Sequence, residues 1–94
     1  MKAAPTPTID ENGLATWVDD PTCTGGYFVT SVFDDGTTNW YQGSSANIGV
    51  GSTTYDTFAA SWLGGQRLQL VGMDSDSNII TNPTNSIGNL TKNL

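Results

Sequence analysis

Apolar and polar positions along this 94-residue chain alternate over several short stretches, the period of an extended strand. YFVTSVF, residues 27–33, is dense in aromatic and β-branched side chains and predicts a strand. RLQLVGM, residues 67–73, predicts another. In LATWV, residues 14–18, alternation puts Ala15 and Trp17 on one face and Leu14, Thr16 and Val18 on the other. A shorter strand is expected around Trp40 and Tyr41, and a last one from Ile79 to Thr81. Residues 42–54 have only Ile48 and Val50 as anchors among small residues, which leaves a weak edge strand or a loop open. YDTFAASWL, residues 55–63, fits a helical period through Tyr55, Phe58, Ala59 and Trp62, but it also fits alternation. Flanking Thr and Gly and the lack of helix caps favour a strand.

Turn chemistry separates these runs. Asn12-Gly13 lies between the first apolar anchor, Ile9, and LATWV. DDPTCTGG (19–26), Asp34-Asp35-Gly36 and Gly64-Gly65 interrupt the pattern again. Six or seven short strands with a turn signal every 8 to 12 residues or so predict an all-β, immunoglobulin-like antiparallel β-sandwich of about seven strands. Residues 1–4 read as a disordered or expression-derived lead, 5–82 as the sandwich, and 83–94 as a polar tail or linker. Pro5 and Pro7, alternating with Thr, predict a stiff extended approach to the first strand.

Composition narrows the function classes. The formal net charge is −6, with Lys2, Arg67 and Lys92 the only basic residues, so no phosphate-neutralising patch can form. Nucleic acid and anionic membrane surfaces are therefore not expected partners. Cys23 is the one cysteine and histidine is absent, which removes an internal disulfide and the usual zinc sets. Cys23 reads as a small loop residue without a basic neighbour to activate it.

The aspartates are the next candidate sites. Asp74, Asp76 and Asn78 alternate as in a calcium loop, but the sixth and twelfth positions hold Ile79 and Asn85 where Gly and Glu are required. A hairpin turn is the expectation there, with a weak surface calcium site near Asp19 or Asp20 as the other option. Asp34 and Asp35 are adjacent, hence on opposite faces of a strand end, and cannot converge as a glycosidase pair. A serine nucleophile would have no evident base, so no catalytic residue, metal or cofactor is expected and the chain reads as a non-enzyme. The best ligand candidates are Trp40 and Tyr41, because a sugar ring stacks on an exposed aromatic face. Trp17, Tyr27 or Phe28, Phe33, Phe58 and Trp62 read more simply as core. Asn89-Leu90-Thr91 is a formal glycosylation sequon.

The order of landmarks resembles the fibronectin type III family over roughly Pro5 to Asn82. The shared features are LATW ending at Trp17, Tyr27 followed by Val29, and Leu68, Leu70 and Gly72 running into Asp74, Ser75 and Asp76. The family usually ties the corner before its sixth strand with a Tyr hydroxyl. Here Trp62, Leu63 and Leu68 stand in that region, so packing alone should hold it. The resemblance implies a non-catalytic spacer or interaction module of a larger secreted, cell-surface or virion protein. Such a module is expected to be monomeric and to contact neighbouring domains, another protein or a polysaccharide. The alternative is a carbohydrate-binding module attached to a secreted glycoside hydrolase.

Overall fold

The structure is a computed structural model that describes residues 1–34, 40–60 and 66–86. Seven strands form, in chain order β1 (Thr8–Ile9), β2 (Leu14–Thr16), β3 (Gly26–Asp34), β4 (Trp40–Ile48), β5 (Thr54–Asp56), β6 (Gln66–Met73) and β7 (Thr84–Ser86). They pair in two antiparallel sheets, ordered β1-β2-β5 and β4-β3-β6-β7. The fold class is all-β, as the alternation predicts.

Each sheet turns its alternate residues toward the other. Across the small sheet, Ala15 is in register with Ile9 and Tyr55. Across the large sheet, Val29 is in register with Ala46 and Leu70, and Leu70 with Thr84. These rows, with Trp17, Cys23, Tyr27, Ile48 and Leu68, make the buried cluster between the sheets. Leu14 on the opposite face of β2 is exposed, as period 2 requires, and so is Val18 just beyond the strand. Burial of this shared apolar area, rather than local propensity, is what holds strands as short as β1 and β5 in place.

Turns end the strands through named polar groups. The Asp10 carboxylate accepts the backbone N–H of Asn12 and of Leu14, and Gly13 takes φ +78° to bring the chain back into β2. β3 starts at Gly26, whose φ of +83° and approach to the Ile48 carbonyl leave no room for a side chain.

Two elements differ from the pattern-based reading, and one alternative that it left open is resolved as an edge strand. Residues 40–48 form one strand, so most of the open 42–54 segment is β-structure, with an extra residue on β4 between the Thr30 and Val32 rungs. That bulge absorbs the small residues Gly43 and Ser44 on an edge strand. The strand expected over 55–63 stops at Asp56, where the carboxylate accepts the N–H of Phe58 and Ala59 and starts a single turn to Ala60. An Asp side chain offering those bonds competes with a ladder, which is why alternation alone overruns the strand end. Trp62 and Leu63 lie outside the described residues. Ile79 makes only an isolated bridge to Met73, and the last strand lies further on, at Thr84–Ser86. Its hydroxyl-rich sequence pairs because β6 presents a free edge.

The leading segment packs along the last strand. Residues 1–7 lie along residues 82–86, with Ala3 in a parallel bridge to Asn82. Ala4 donates to the Asn82 carbonyl (2.9 Å), and Asn82 donates to the carbonyls of Lys2 (2.8 Å) and, through its amide, Met1 (2.8 Å). Thr84 and Ser86 donate their hydroxyls to the carbonyls of Pro5 and Pro7. Proline cannot donate to a ladder, so hydroxyl-to-carbonyl bonds replace one and the strap covers the outer edge of β7.

The chain crosses the sandwich seven times in alternating direction. Lys2 therefore sits at the pole carrying Gly26, Ile48 and Met73, and Ser86 at the pole carrying Asp34 and Gln66.

Candidate functional site

The densest polar arrangement lies at the Lys2 pole, in the loop between β2 and β3. The Tyr27 ring is fully buried and meets Trp17 edge to face, with centroids 5.5 Å apart. Its hydroxyl accepts the Asp20 backbone N–H at 2.6 Å and donates to the Asp19 carboxylate at 2.6 Å. Burial, then the bond to Asp19, raises the Tyr27 pKa, so the phenol stays protonated and acts as a clamp.

Asp20 is engaged on every side. Lys2 Nζ lies 2.8 Å from one carboxylate oxygen, while the Thr22 hydroxyl and N–H donate to the other at 2.7 and 3.0 Å. The bonds from Lys2 and Thr22 hold its pKa down to about 2. Lys2 also donates to the Thr22 hydroxyl at 2.6 Å. Cys23 is buried beside Gly72, and burial, followed by the charge of Asp20, pushes its thiol pKa up. A protonated, enclosed thiol is a packing group and not a nucleophile.

The Asp74 loop is also self-satisfied. One Asp74 oxygen accepts the N–H of Asp76 and of Asn78 at 2.9 Å each, and the backbone closes through Asp74 N–H to the Asn78 carbonyl at 2.9 Å. These bonds, the Asn78 N–H first, lower the Asp74 pKa. One oxygen of Asp74 is thus committed to the turn, and no group of three metal-ligating side chains occurs among the described residues. Asp34 closes β3, while Asp35 lies outside the described residues.

Trp40 and Tyr41 open β4 in register with Asp34 and Phe33. Their side chains lie outside the described part of the structure, as does the sequon at Asn89.

Two surface hollows are lined by described residues. One, of about 240 Å³, is lined by Thr6, Thr8, Thr16, Trp17 and Val18. The other, of about 260 Å³, lies on the outer face of the large sheet and is lined by Val32, Arg67, Gln69 and Asn85. Arg67 stands in register with Val32 and Gln69 with Asn85, so four residues from three strands share one outward patch.

Sequence reasoning missed the Tyr27 clamp, the Lys2 pair and this second hollow. A tyrosine at the head of the strongest strand, eight residues after an Asp pair, is the one sequence signal for the clamp. The hollow depends on pairing between strands far apart in sequence and has no local signature. No family model, curated protein or solved structure matches the chain.

Proposed function

We propose that the chain is an immunoglobulin-like, fibronectin type III-type module that serves as a non-catalytic spacer or interaction domain within a larger secreted, surface or virion protein. The observation that carries this reading is the chain path, with Lys2 at one pole and Ser86 at the other. Neighbouring domains joined at those points would stand at opposite ends, as beads on a string do. The strand order adds support. Sheets β1-β2-β5 and β3-β6-β7 reproduce the immunoglobulin pairing of first, second and fifth strands against third, sixth and seventh, with β4 added beside β3.

The chemistry of the loops points the same way. Asp20 and Asp74 have depressed pKa values, the Tyr27 phenol and the Cys23 thiol have raised ones, and each is accounted for by burial or a structural bond. A general acid or base poised near neutral pH would need the opposite arrangement.

A fusion of the chain between two rigid, dye-labelled domains tests the proposal by energy transfer and small-angle scattering. The expected result is a fixed separation with the module adding about 30 Å, the length of the nine-residue β3 at ~3.4 Å per residue. Flanking domains that fold back side by side, or a module that stays unfolded between them, would sink it.

A further inference from the structure

The turn between β1 and β2 holds the chain's one Asn-Gly pair, Asn12-Gly13. Its backbone closes where the Gly13 N–H donates to the Asp10 carbonyl at 3.0 Å, and the Asp10 carboxylate accepts the N–H of Asn12 and of Leu14. Asp10, Glu11 and Asn12 are exposed, and the Asn12 carboxamide has no hydrogen-bond partner among the described residues. Gly13, in contrast, is buried. Its carbonyl accepts both the N–H (2.9 Å) and the hydroxyl (2.6 Å) of Thr57, a fully buried residue just after β5. The Phe58 ring lies against it so closely that a Cβ would meet ring carbons at 2.5 Å. Gly13 is thus the junction that ties the β1-β2 hairpin to the end of β5.

We propose that Asn12 is a site of spontaneous covalent modification, and that its conversion to isoaspartate unties this junction. The Gly13 nitrogen gives its proton to hydroxide and attacks the carbonyl carbon of the Asn12 side chain. The new C–N bond closes a five-membered succinimide, the bond from that carbon to the amide nitrogen breaks, and ammonia leaves with a proton taken from water. Water then opens the ring at either carbonyl. The product is aspartate, or isoaspartate with the main chain routed through the former side chain. The sum consumes one water and releases one ammonia, with no oxidant or reductant. Two features single out Asn12 among the eight asparagines. Glycine follows only here, and without a Cβ it neither shields its nitrogen nor bars the backbone angles that ring closure requires. The carboxamide stands in water and breaks no protein bond as it turns toward that nitrogen. The Gly13-to-Asp10 bond is the guard, because the nitrogen must leave it before it attacks, and local opening of a surface turn costs less than unfolding. Isoaspartate inserts a methylene into the backbone before Gly13 and sets a third carboxylate beside Asp10 and Glu11. The Gly13 carbonyl is displaced from Thr57, whose buried N–H and hydroxyl lose their acceptor. The inference goes beyond the spacer reading and stands or falls separately from it.

The test ages the intact 94-residue chain for weeks at neutral and at mildly alkaline pH, maps its chymotryptic peptides by mass spectrometry and labels isoaspartate with isoaspartyl methyltransferase. The amide-to-acid mass gain should appear first in the peptide carrying Asn12, with isoaspartate in the same peptide, and sooner in the alkaline sample. Asp35-Gly36 closes the same kind of ring by losing water and gains no mass, so the two sources stay distinct. Asp10→Ala removes two bonds of the turn and should speed conversion about tenfold, the population change that two weak hydrogen bonds make. Asn12→Gln, at an exposed position, should fold as the parent does and show no mass gain there, because its ring would need a sixth member. The isolated isoaspartyl form should melt roughly 4–8 °C below the parent, as the loss of one ordinary hydrogen bond would make it. Asn12→Asp, with the charge but the normal backbone, should melt close to the parent. Conversion at another asparagine ahead of Asn12, or none even in the alkaline sample, overturns the proposal. An unchanged rate in Asp10→Ala, or an isoaspartyl form that melts with the parent, does so too.

Discussion

Tyr27 concentrates two tasks in one side chain. Its ring fills the core against Trp17, and its hydroxyl fixes the loop that follows β2 by accepting a hydrogen bond from the Asp20 N–H and donating one to Asp19. Tyr27→Phe keeps the ring and removes both bonds, leaving a half-enclosed N–H and a carboxylate unsatisfied. The expected loss is about 1–3 kcal/mol in urea unfolding, with the Asp19–Asp20 amides exchanging faster. The neighbouring carboxylates set the acid response. Asp20 and Asp74 titrate below their unfolded values, so their contribution is complete above about pH 4 and is lost in more acid solution, for Asp20 as pH falls to about 2. The melting temperature should drop across that window, and Lys2→Met should flatten the part due to Asp20. Ser77 shows the reverse economy. It holds φ 64° without being glycine, a strain of about 1–2 kcal/mol. Ser77→Gly relieves it, offset by about 0.4–1 kcal/mol of added chain freedom in the unfolded state. Thermal melting should show a net gain of roughly half a kcal/mol.

Among the elements, the strap of residues 1–7 is the least ordinary, because it protects the β7 edge with prolines whose carbonyls only accept. Thr84→Val together with Ser86→Ala keeps the shape of β7 and removes both hydroxyl bonds. Each bond is worth about 1 kcal/mol, so unfolding should be easier by roughly 2 kcal/mol. The amide of Ala4, which donates to Asn82, should exchange at close to the free-chain rate. Circular dichroism unchanged in shape but with Ala4 still protected would show that the backbone bridge holds the strap alone. Such elements were hidden in the sequence for a physical reason. β3 and β6 are legible because their own side chains carry the alternating burial, and the Asp74 turn because Asp and Asn write their bonding into local spacing. β4 and β7 owe their conformation to the ladder of a neighbour already in place. No property of Gly43, Ser44 or Thr84 declares it, and the recess at Arg67 inherits the same opacity.

For the whole molecule, the decisive quantity is how little core there is to lose. Eight buried residues form the described cluster, with Ile9, Ala46, Tyr55, Ala60 and Ile80 packed against it. At about 0.05–0.15 kcal/mol per residue, a chain of 94 residues is stable by roughly 5–14 kcal/mol. Leu70 is fully buried, with Val29 and Thr84 beside it in the sheet and the small sheet above. Leu70→Ala removes about 2–5 kcal/mol, roughly a fifth to a half of the total if the chain sits mid-range. In a domain of this size each kcal/mol moves the melting temperature by about 4–8 °C, so the variant should melt more than roughly 10 °C lower. Val18→Thr is the control. It changes an apolar residue on the same chain with little change in side-chain size, at a position that is 83% exposed, and should alter stability by less than about 0.5 kcal/mol. Similar losses at both positions would mean that the two sheets do not share one interior, and the assignment of inward and outward faces would have to be redrawn.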